Sequence, residues 1–246
     1  MLHYQPKVDL VTGEVIGVEA LVRWQHPQKG LLQPGEFLPS VHGSDLEHLL
    51  GEWVVEAALR QMEVWLEEGA AIKVSVNVSA NHLLRPDFSD RLAEALARHP
   101  RIHPADLELE VLETAAIADM EQAVDILQRC TDLGVHFSLD DFGTGYSSLT
   151  YLRKLPVHTL KIDQSFVRNM LTDPEDLGIV HGVIELAAAF HREVIAEGVE
   201  TLAHGTRLRE LGCRFGQGYG IARPMPASQL TQWRSQWLTL KPWLNP

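Results

Sequence analysis

Cysteine is scarce. Cys130 and Cys213 are the only two in 246 residues, and they stand without CxxC spacing. They fit a reducing compartment in which both simply pack. Long apolar runs are also missing. None approaches the ~20 residues a membrane span needs, and no signal peptide is visible. The expectation is a cytoplasmic segment without direct membrane contact, or the cytoplasmic part of a membrane-bound protein. Positive charge is in the minority. Lys+Arg number 21 against 33 Asp+Glu, for a net charge of −12. That balance argues against duplex nucleic acid as a partner. It leaves an anionic substrate open, because bound cations can reverse the local field. The 12 histidines form no HxH or HExxH pair, so no zinc site is read. Repeats, low-complexity stretches and internal linkers are absent as well.

What is present suits one large globular domain: 45% of residues are hydrophobic and 22% charged. An α/β barrel of roughly 250 residues is a single domain. The expected unit is therefore residues 1–246, and the abrupt strand-like start at Leu2 is expected of a domain cut from a longer protein.

Leu2–Asp9 and Glu14–Trp24 read as strands around the turn signal Thr12-Gly13, which predicts an antiparallel hairpin. A Pro/Gly-rich loop follows, with Pro27, Gly30, Pro34, Gly35 and Pro39. From Leu46 to Glu68, Leu46, Leu49, Leu50, Trp53, Val54, Ala57, Ala58, Met62 and Trp65 recur at helical spacing, which predicts a helix packing that stripe on a sheet. Alternation then continues. Strands are expected at Lys73–Val78, Leu107–Leu112, Val135–Leu139, Thr159–Ile162, Val194–Ala196 and Arg214–Gly218. Helices are expected at Phe88–Arg98, Asp119–Leu133, from Ser147, Asp176–His191, Leu202–Leu211 and Ala227–Leu238. Alternation of this kind implies a parallel sheet with right-handed crossovers.

The strand-like runs repeatedly end on an acid, an amide or a lysine. Val15-Ile16-Gly17-Val18 ends at Glu19, Val74-Ser75-Val76 at Asn77, and Leu107-Glu108-Leu109 at Glu110. Phe137-Ser138-Leu139 ends at Asp140-Asp141, Thr159-Leu160 at Lys161 with Asp163 beyond, Val194-Ile195-Ala196 at Glu197, and Phe215-Gly216 at Gln217. In a barrel the C-terminal strand ends meet on one face, where active sites sit. Residues scattered from 19 to 217 would then converge on one acidic pocket. Oxygen ligands with one amide indicate Mg²⁺ or Mn²⁺.

The sharpest motif is Asp140-Asp141-Phe142-Gly143-Thr144-Gly145-Tyr146-Ser147-Ser148. Adjacent strand side chains point to opposite faces. Two neighbouring carboxylates serving one site require the strand to be ending, and Gly143 and Gly145 are read as supplying the bend. An Asp-Gly surface turn is the plain alternative. Lys161-Ile162-Asp163 and Glu197-Gly198-Val199-Glu200 follow other strands, where a strand-end ion pair and an ordinary helix-start acid are the alternatives.

Together with Glu19-Ala20-Leu21-Val22-Arg23, Tyr4-Gln5-Pro6, Ser75-Val76-Asn77-Val78-Ser79, Glu110-Val111-Leu112-Glu113-Thr114, Gln217-Gly218-Tyr219 and Arg223-Pro224-Met225-Pro226, these motifs make the chain resemble the EAL family of cyclic di-GMP phosphodiesterases. The resemblance runs from about residue 2 to 235. It implies a TIM-barrel-like (β/α)8 variant with an antiparallel first strand. It implies hydrolysis of cyclic di-GMP to pGpG with Mg²⁺ or Mn²⁺, inhibited by Ca²⁺. By resemblance, Glu19, Asn77, Glu110 and Asp140 are ligands of one metal, and Asp140 and Asp141 of a second. Lys161 and Glu197 hold and activate the attacking water. Gln5, Arg23, Asp163, Glu200 and Gln217 are substrate contacts or their supports, and Glu113 holds the loop after Asp141. A homodimer is implied, with sensor or GGDEF-type domains fused in the whole protein. One departure is the run Ser40-Val41-His42-Gly43-Ser44-Asp45 after Phe37-Leu38-Pro39, where such families often carry an acidic pair and a glycine. It lies outside the metal set. A receptor or scaffold without turnover is the alternative function. The intact metal set favours the enzyme.

Overall fold

A computed structural model describes residues 1–113, 120–145 and 149–240. Strand β1 (Leu2–Asp9) and strand β2 (Val15–Val22) form the expected hairpin, with Gln5 opposite Glu19. Gly13 takes φ 72 in its turn, a conformation that a Cβ disfavours. A two-stranded ribbon, β3 (Trp24–His26) with β4 (Gly30–Leu32), and helix α1 (Pro34–Val41) occupy the stretch expected to be loop. Pro34 opens α1, where a missing N–H costs nothing. The glycines and prolines there punctuate short elements.

Helix α2 (Asp45–Glu67) is followed by β5 (Val74–Val78), the short α3 (Ala80–Leu83), α4 (Phe88–Arg98) and β6 (Leu107–Leu112). Next come α5 (Met120–Asp132), β7 (His136–Phe142), α6 (Leu149–Lys154), β8 (Thr159–Ile162), α7 (Gln164–Asn169) and α8 (Pro174–Ala189). β9 (Glu193–Ala196), α9 (Leu202–Glu210), β10 (Phe215–Gly216), β11 (Met225–Pro226) and α10 (Ala227–Leu240) complete the order. Helix α7 was not expected from the sequence. Its cap, Asp163, accepts the Ser165 N–H at 3.0 Å. The predicted helix start at Ser147 and the Thr114 and Tyr146–Ser148 motif positions lie outside the described residues.

Strands β2, β5, β6, β7, β8, β9 and β10 pair in parallel in that order. β10 then returns antiparallel onto β1, with Val8 opposite Gly216, and closes the ring. The result is an eight-stranded α/β barrel in which β1 alone runs against its neighbours. β11 merely flanks β1.

Two expectations need correction. The α2 stripe divides between two faces: Val54, Ala58, Met62 and Trp65 are buried, whereas Leu46, Leu49 and Trp53 are 59%, 52% and 43% exposed. Trp65 packs edge-on against Tyr4, ring centroids 4.8 Å apart, which fixes the face that α2 turns to the barrel. In β7 the strand does not end at Leu139. It runs on to Phe142, its register against β8 shifts between Leu139 and Phe142, and Asp141 itself takes φ 54. The turn that aims both carboxylates is made by Asp141, with Gly143 continuing it. Among the described residues no helix is long and apolar enough to cross a membrane.

Candidate active site

Lys161 is the centre of the pocket. It points inward from β8 and is fully buried. Its Nζ lies 2.5 Å from Glu110, 2.7 Å from Glu197, 3.0 Å from Asp140 and 3.8 Å from Glu19. These acids come from four different strands or strand ends. Burial alone would pull the ammonium down, but Glu110, Glu19, Glu197 and Asp140 outweigh it and hold it well above the usual lysine value. Four carboxylates against one ammonium leave the acids in excess. Burial and then the charge of Glu19 push Glu110 well above the usual carboxyl range. Burial also pushes Glu197 to about 7, with Asp140 and Glu19 adding to the rise.

Glu19 behaves oppositely because amides hold it. Burial would raise it, yet Lys161 and hydrogen bonds from Gln217 and Asn77 keep it below its ordinary value. Asn77 Nδ2 donates to Glu19 Oε1 at 2.6 Å, and Gln217 Nε2 donates to Glu19 Oε2 at 2.6 Å. Gln217 Nε2 also reaches Gln5 Oε1 at 3.1 Å, and Gln5 Nε2 donates to the Ala222 carbonyl at 3.0 Å. The hairpin register that sets Gln5 opposite Glu19 makes this chain possible.

Asp140, Asp141 and Glu197 each offer an oxygen, and these atoms all lie within 4.8 Å of one another. Burial and then Asp140 raise Asp141 to about 6, with Asp163 adding to the effect. Beside Glu197, Gly198 holds φ 71 and runs so close to α7 that a Cβ would sit 2.8 Å from Gln164 Cβ. Glu113 Oε2 accepts the Gly143 N–H at 3.2 Å, and the Thr144 hydroxyl donates to the Asp141 carbonyl at 2.8 Å. Glu113 therefore contacts the loop after Asp141 through backbone. The alternative tether at Ser147 lies outside the described residues.

The donors are oxygens throughout, mostly carboxylate, and Glu110 Oε1 is buried without a hydrogen-bond partner. That set fits hard divalent cations and not softer metals.

A cleft of about 240 Å³ opens above these groups, lined by Gln5, Glu19, Asp140, Glu197 and Gln217 from the expected set, with Arg23 on one wall. Asn77, Glu110, Asp141 and Lys161 lie deeper or beside it. Glu200 is not gathered into the cleft: it pairs with Arg168 Nε at 2.9 Å. Asp163 caps α7 next to Asp141. Sequence reading missed Lys7, Gln164 and Arg168. Lys7 is buried, 2.7 Å from Glu108 and 3.5 Å from Glu110. Its only signal was a lysine next to Pro6 and Val8 in a strand, facing Glu108 of Leu-Glu-Leu-Glu. Gln164 and Arg168 line the cleft from α7 and carried no local signal.

A closed α/β barrel carries an oxygen-rich acidic cluster at its C-terminal strand ends, a cluster that could hold a metal ion. The chain belongs to the EAL domain family, whose model matches residues 1–224. It is 46% identical over 231 residues to the bifunctional diguanylate cyclase/cyclic di-GMP phosphodiesterase MucR of Pseudomonas aeruginosa, covering 94% of this chain and 34% of that protein. It is 41% identical to the cyclic di-GMP phosphodiesterase PA2567 of the same organism, covering 94% of this chain and 39% of the other. A solved structure described as the PaMucR phosphodiesterase in complex with c-di-GMP superposes with a TM-score of 0.89 at 45% identity, covering 94% and 93% of the two chains. The chain thus spans 34% and 39% of the length of these two curated relatives.

Proposed function

We propose that this domain is a metal-dependent phosphodiesterase that hydrolyses cyclic di-GMP to linear pGpG. The observation that carries the reading is the acidic crown: Asp140, Asp141 and Glu197 oxygens within 4.8 Å of one another, beside a buried lysine and below a cleft holding Arg23. Glu19, Asn77, Glu110 and Asp140 would hold one cation, and Asp140 with Asp141 a second. Mg²⁺ or Mn²⁺ is the proposed pair and Ca²⁺ an inhibitor. When bound, two cations lower the pKa of the attacking water and stabilise charge on the phosphoryl oxygens.

The chain's own groups do the rest. Arg23 grips a phosphate oxygen from the cleft wall, where a planar fork suits bidentate contact. Gln217 and Gln5 keep Glu19 aimed through the hydrogen bonds above. Glu197, raised to about 7, accepts the proton of the attacking water. A phosphorus–oxygen bond forms to that water, the bond to the ribose 3′ oxygen breaks, and the departing oxygen takes a proton from solvent. Lys161 is a poor base, because a free lysine titrates at about 10.4 and this one is held higher. It orients the water and steadies the negative charge. Asp163 supports Asp141, and Glu113 ties down the loop that carries it.

The proposal has three further elements, a cytoplasmic setting, a homodimer, and fused sensor or GGDEF-type domains in the whole protein; the chain's span of only 34% and 39% of its two relatives supports the last. Incubation with cyclic di-GMP and Mg²⁺, with the nucleotides then resolved, tests the activity. Linear pGpG that stops forming with EDTA is expected. Tight nucleotide binding without product under Mg²⁺ or Mn²⁺ would overturn the enzyme reading and leave a receptor.

A further inference from the structure

We propose that Arg168 is a specificity residue that reads the Hoogsteen edge of one guanine, and that Glu200 acts through it. The inference rests on the cyclic di-GMP reading above. Arg23 and Arg168 are the cations among the side chains lining the cleft. They differ in setting. Arg23 is almost fully buried at the end of β2 and near Glu19, while the Arg168 side chain is 41% exposed at the rim, on α7. Glu200 Oε1 sits 2.9 Å from Arg168 Nε. That pairing offsets the guanidinium charge, so Arg168 is a weak counter-ion for a phosphate. It leaves the forked terminal nitrogens without a hydrogen-bond partner among the described residues and steadied from behind by the carboxylate.

A charge-balanced, forward-facing guanidinium fork matches guanine, which presents two acceptors, O6 and N7, side by side. Adenine presents N7 beside a donor amino group, which the fork would oppose. The position also fits. The phosphates of a cyclic dinucleotide lie in its central ring and belong over the acids, whereas the bases extend outward towards the rim. The arm is anchored from both ends of α7: Asp163 caps its start, and His204 Nε2 lies 3.2 Å from the Arg168 carbonyl. Glu200 therefore positions the reader and does not touch the nucleotide. It was expected to be a substrate contact or a support, and the geometry selects the second.

The test is calorimetric binding of cyclic di-GMP and cyclic di-AMP in Ca²⁺, with kcat and KM for cyclic di-GMP in Mg²⁺ and a thermal melt of each variant. Arg168→Ala should weaken cyclic di-GMP binding roughly 10- to 100-fold, the range of one lost bidentate base contact. Cyclic di-AMP binding should hardly change, so the preference for guanine collapses. The loss should appear in KM more than in kcat. Arg168→Lys should recover only part of it. Glu200→Gln should give a smaller loss of the same kind, and Arg168→Ala/Glu200→Gln should be no worse than Arg168→Ala. Equal weakening of both nucleotides, or no weakening, in a variant that melts like wild type would overturn the inference alone. A wild-type chain that neither binds nor cleaves cyclic di-GMP would instead overturn the functional reading on which it rests.

Discussion

Among the described residues two lysines are buried in the barrel, and they are not equivalent. Lys7, on β1, is 2.7 Å from Glu108 and 3.5 Å from Glu110, and it also hydrogen-bonds to the Ser75 hydroxyl. Lys161, on β8, faces four carboxylates within 4.0 Å. Around Lys7 the excess of acid is smaller: Glu108 is its own partner, and Glu110 is shared with Lys161. Burial would raise Glu108, but Lys7 holds it down at about 2. Around Lys161 burial raises Glu110 and Glu197, and the excess of acids over cations adds to the rise. A buried pair nearer to balance is complete within the fold. An acid-rich one needs protons or metal ions to offset its repulsion. The first arrangement builds the barrel interior, and the second prepares it for a ligand. Glu110 touches both lysines and joins the two layers.

The largest effect should come from removing acids in the second layer. Glu19→Ala and Asp140→Ala should each abolish turnover, by roughly 10³-fold or more on general grounds for lost catalytic groups. The metal-free Asp140→Ala protein should melt at the same temperature or higher, since a like charge has gone, whereas metal-free Glu19→Ala should melt lower, because the Asn77 and Gln217 amides lose their acceptor. Steady-state kinetics beside metal-free melts check this, and near-normal kcat in either variant would remove the ligand assignment.

Replacing Lys161 should separate chemistry from binding. Lys161→Ala is expected to lower kcat by roughly 10²–10⁴-fold, the range for one positioned proton-transfer or charge-stabilising group. Nucleotide affinity measured in Ca²⁺ should change far less. A loss confined to affinity would contradict its role at the water.

Replacing Lys7 should do the converse. Lys7→Met strands Glu108 inside the barrel, and breaking a buried pair in this way costs about 3–5 kcal/mol. Urea unfolding of the metal-free protein should show that loss. If Lys7→Met were as stable as wild type, the contrast between the two layers would fail.

The smallest effect is in pH. Glu197 at about 7 and Asp141 at about 6 lie above their unfolded values, so these two groups bind more protons in the folded protein than in the unfolded chain between roughly pH 4.5 and 7. Their contribution to metal-free stability is therefore present at low pH and lost as pH rises through 6 and 7. Cations compete with those protons, so the thermal shift produced by Mg²⁺ should be larger at pH 8 than at pH 5.5. A shift that is independent of pH would mean that Glu197 and Asp141 do not face the cation.

Much of this arrangement is legible in the chain itself. Period-two strands, helical intervals and turn residues are local properties, so Phe88–Arg98, Leu107–Leu112 and Thr159–Ile162 match the observed bounds. An acid, an amide or a lysine at each strand end marks Glu19, Asn77, Glu110, Asp140, Lys161, Glu197 and Gln217, because parallel strands in a barrel share one C-terminal face. Other features needed the closed ring. Leu49 and Trp53 read as core by spacing, but only Tyr4 on a distant strand decides which face of α2 is covered. Asp141's positive φ falls where the register between β7 and β8 shifts, which no local pattern announces. Lys7 with Glu108, and Arg168 with Glu200, lie 101 and 32 positions apart in sequence. Spacing marks which residues share a strand or a helix face. Which charges meet across the barrel is set by closure, since an ion pair depends on distance in space and sequence order carries that distance only within an element.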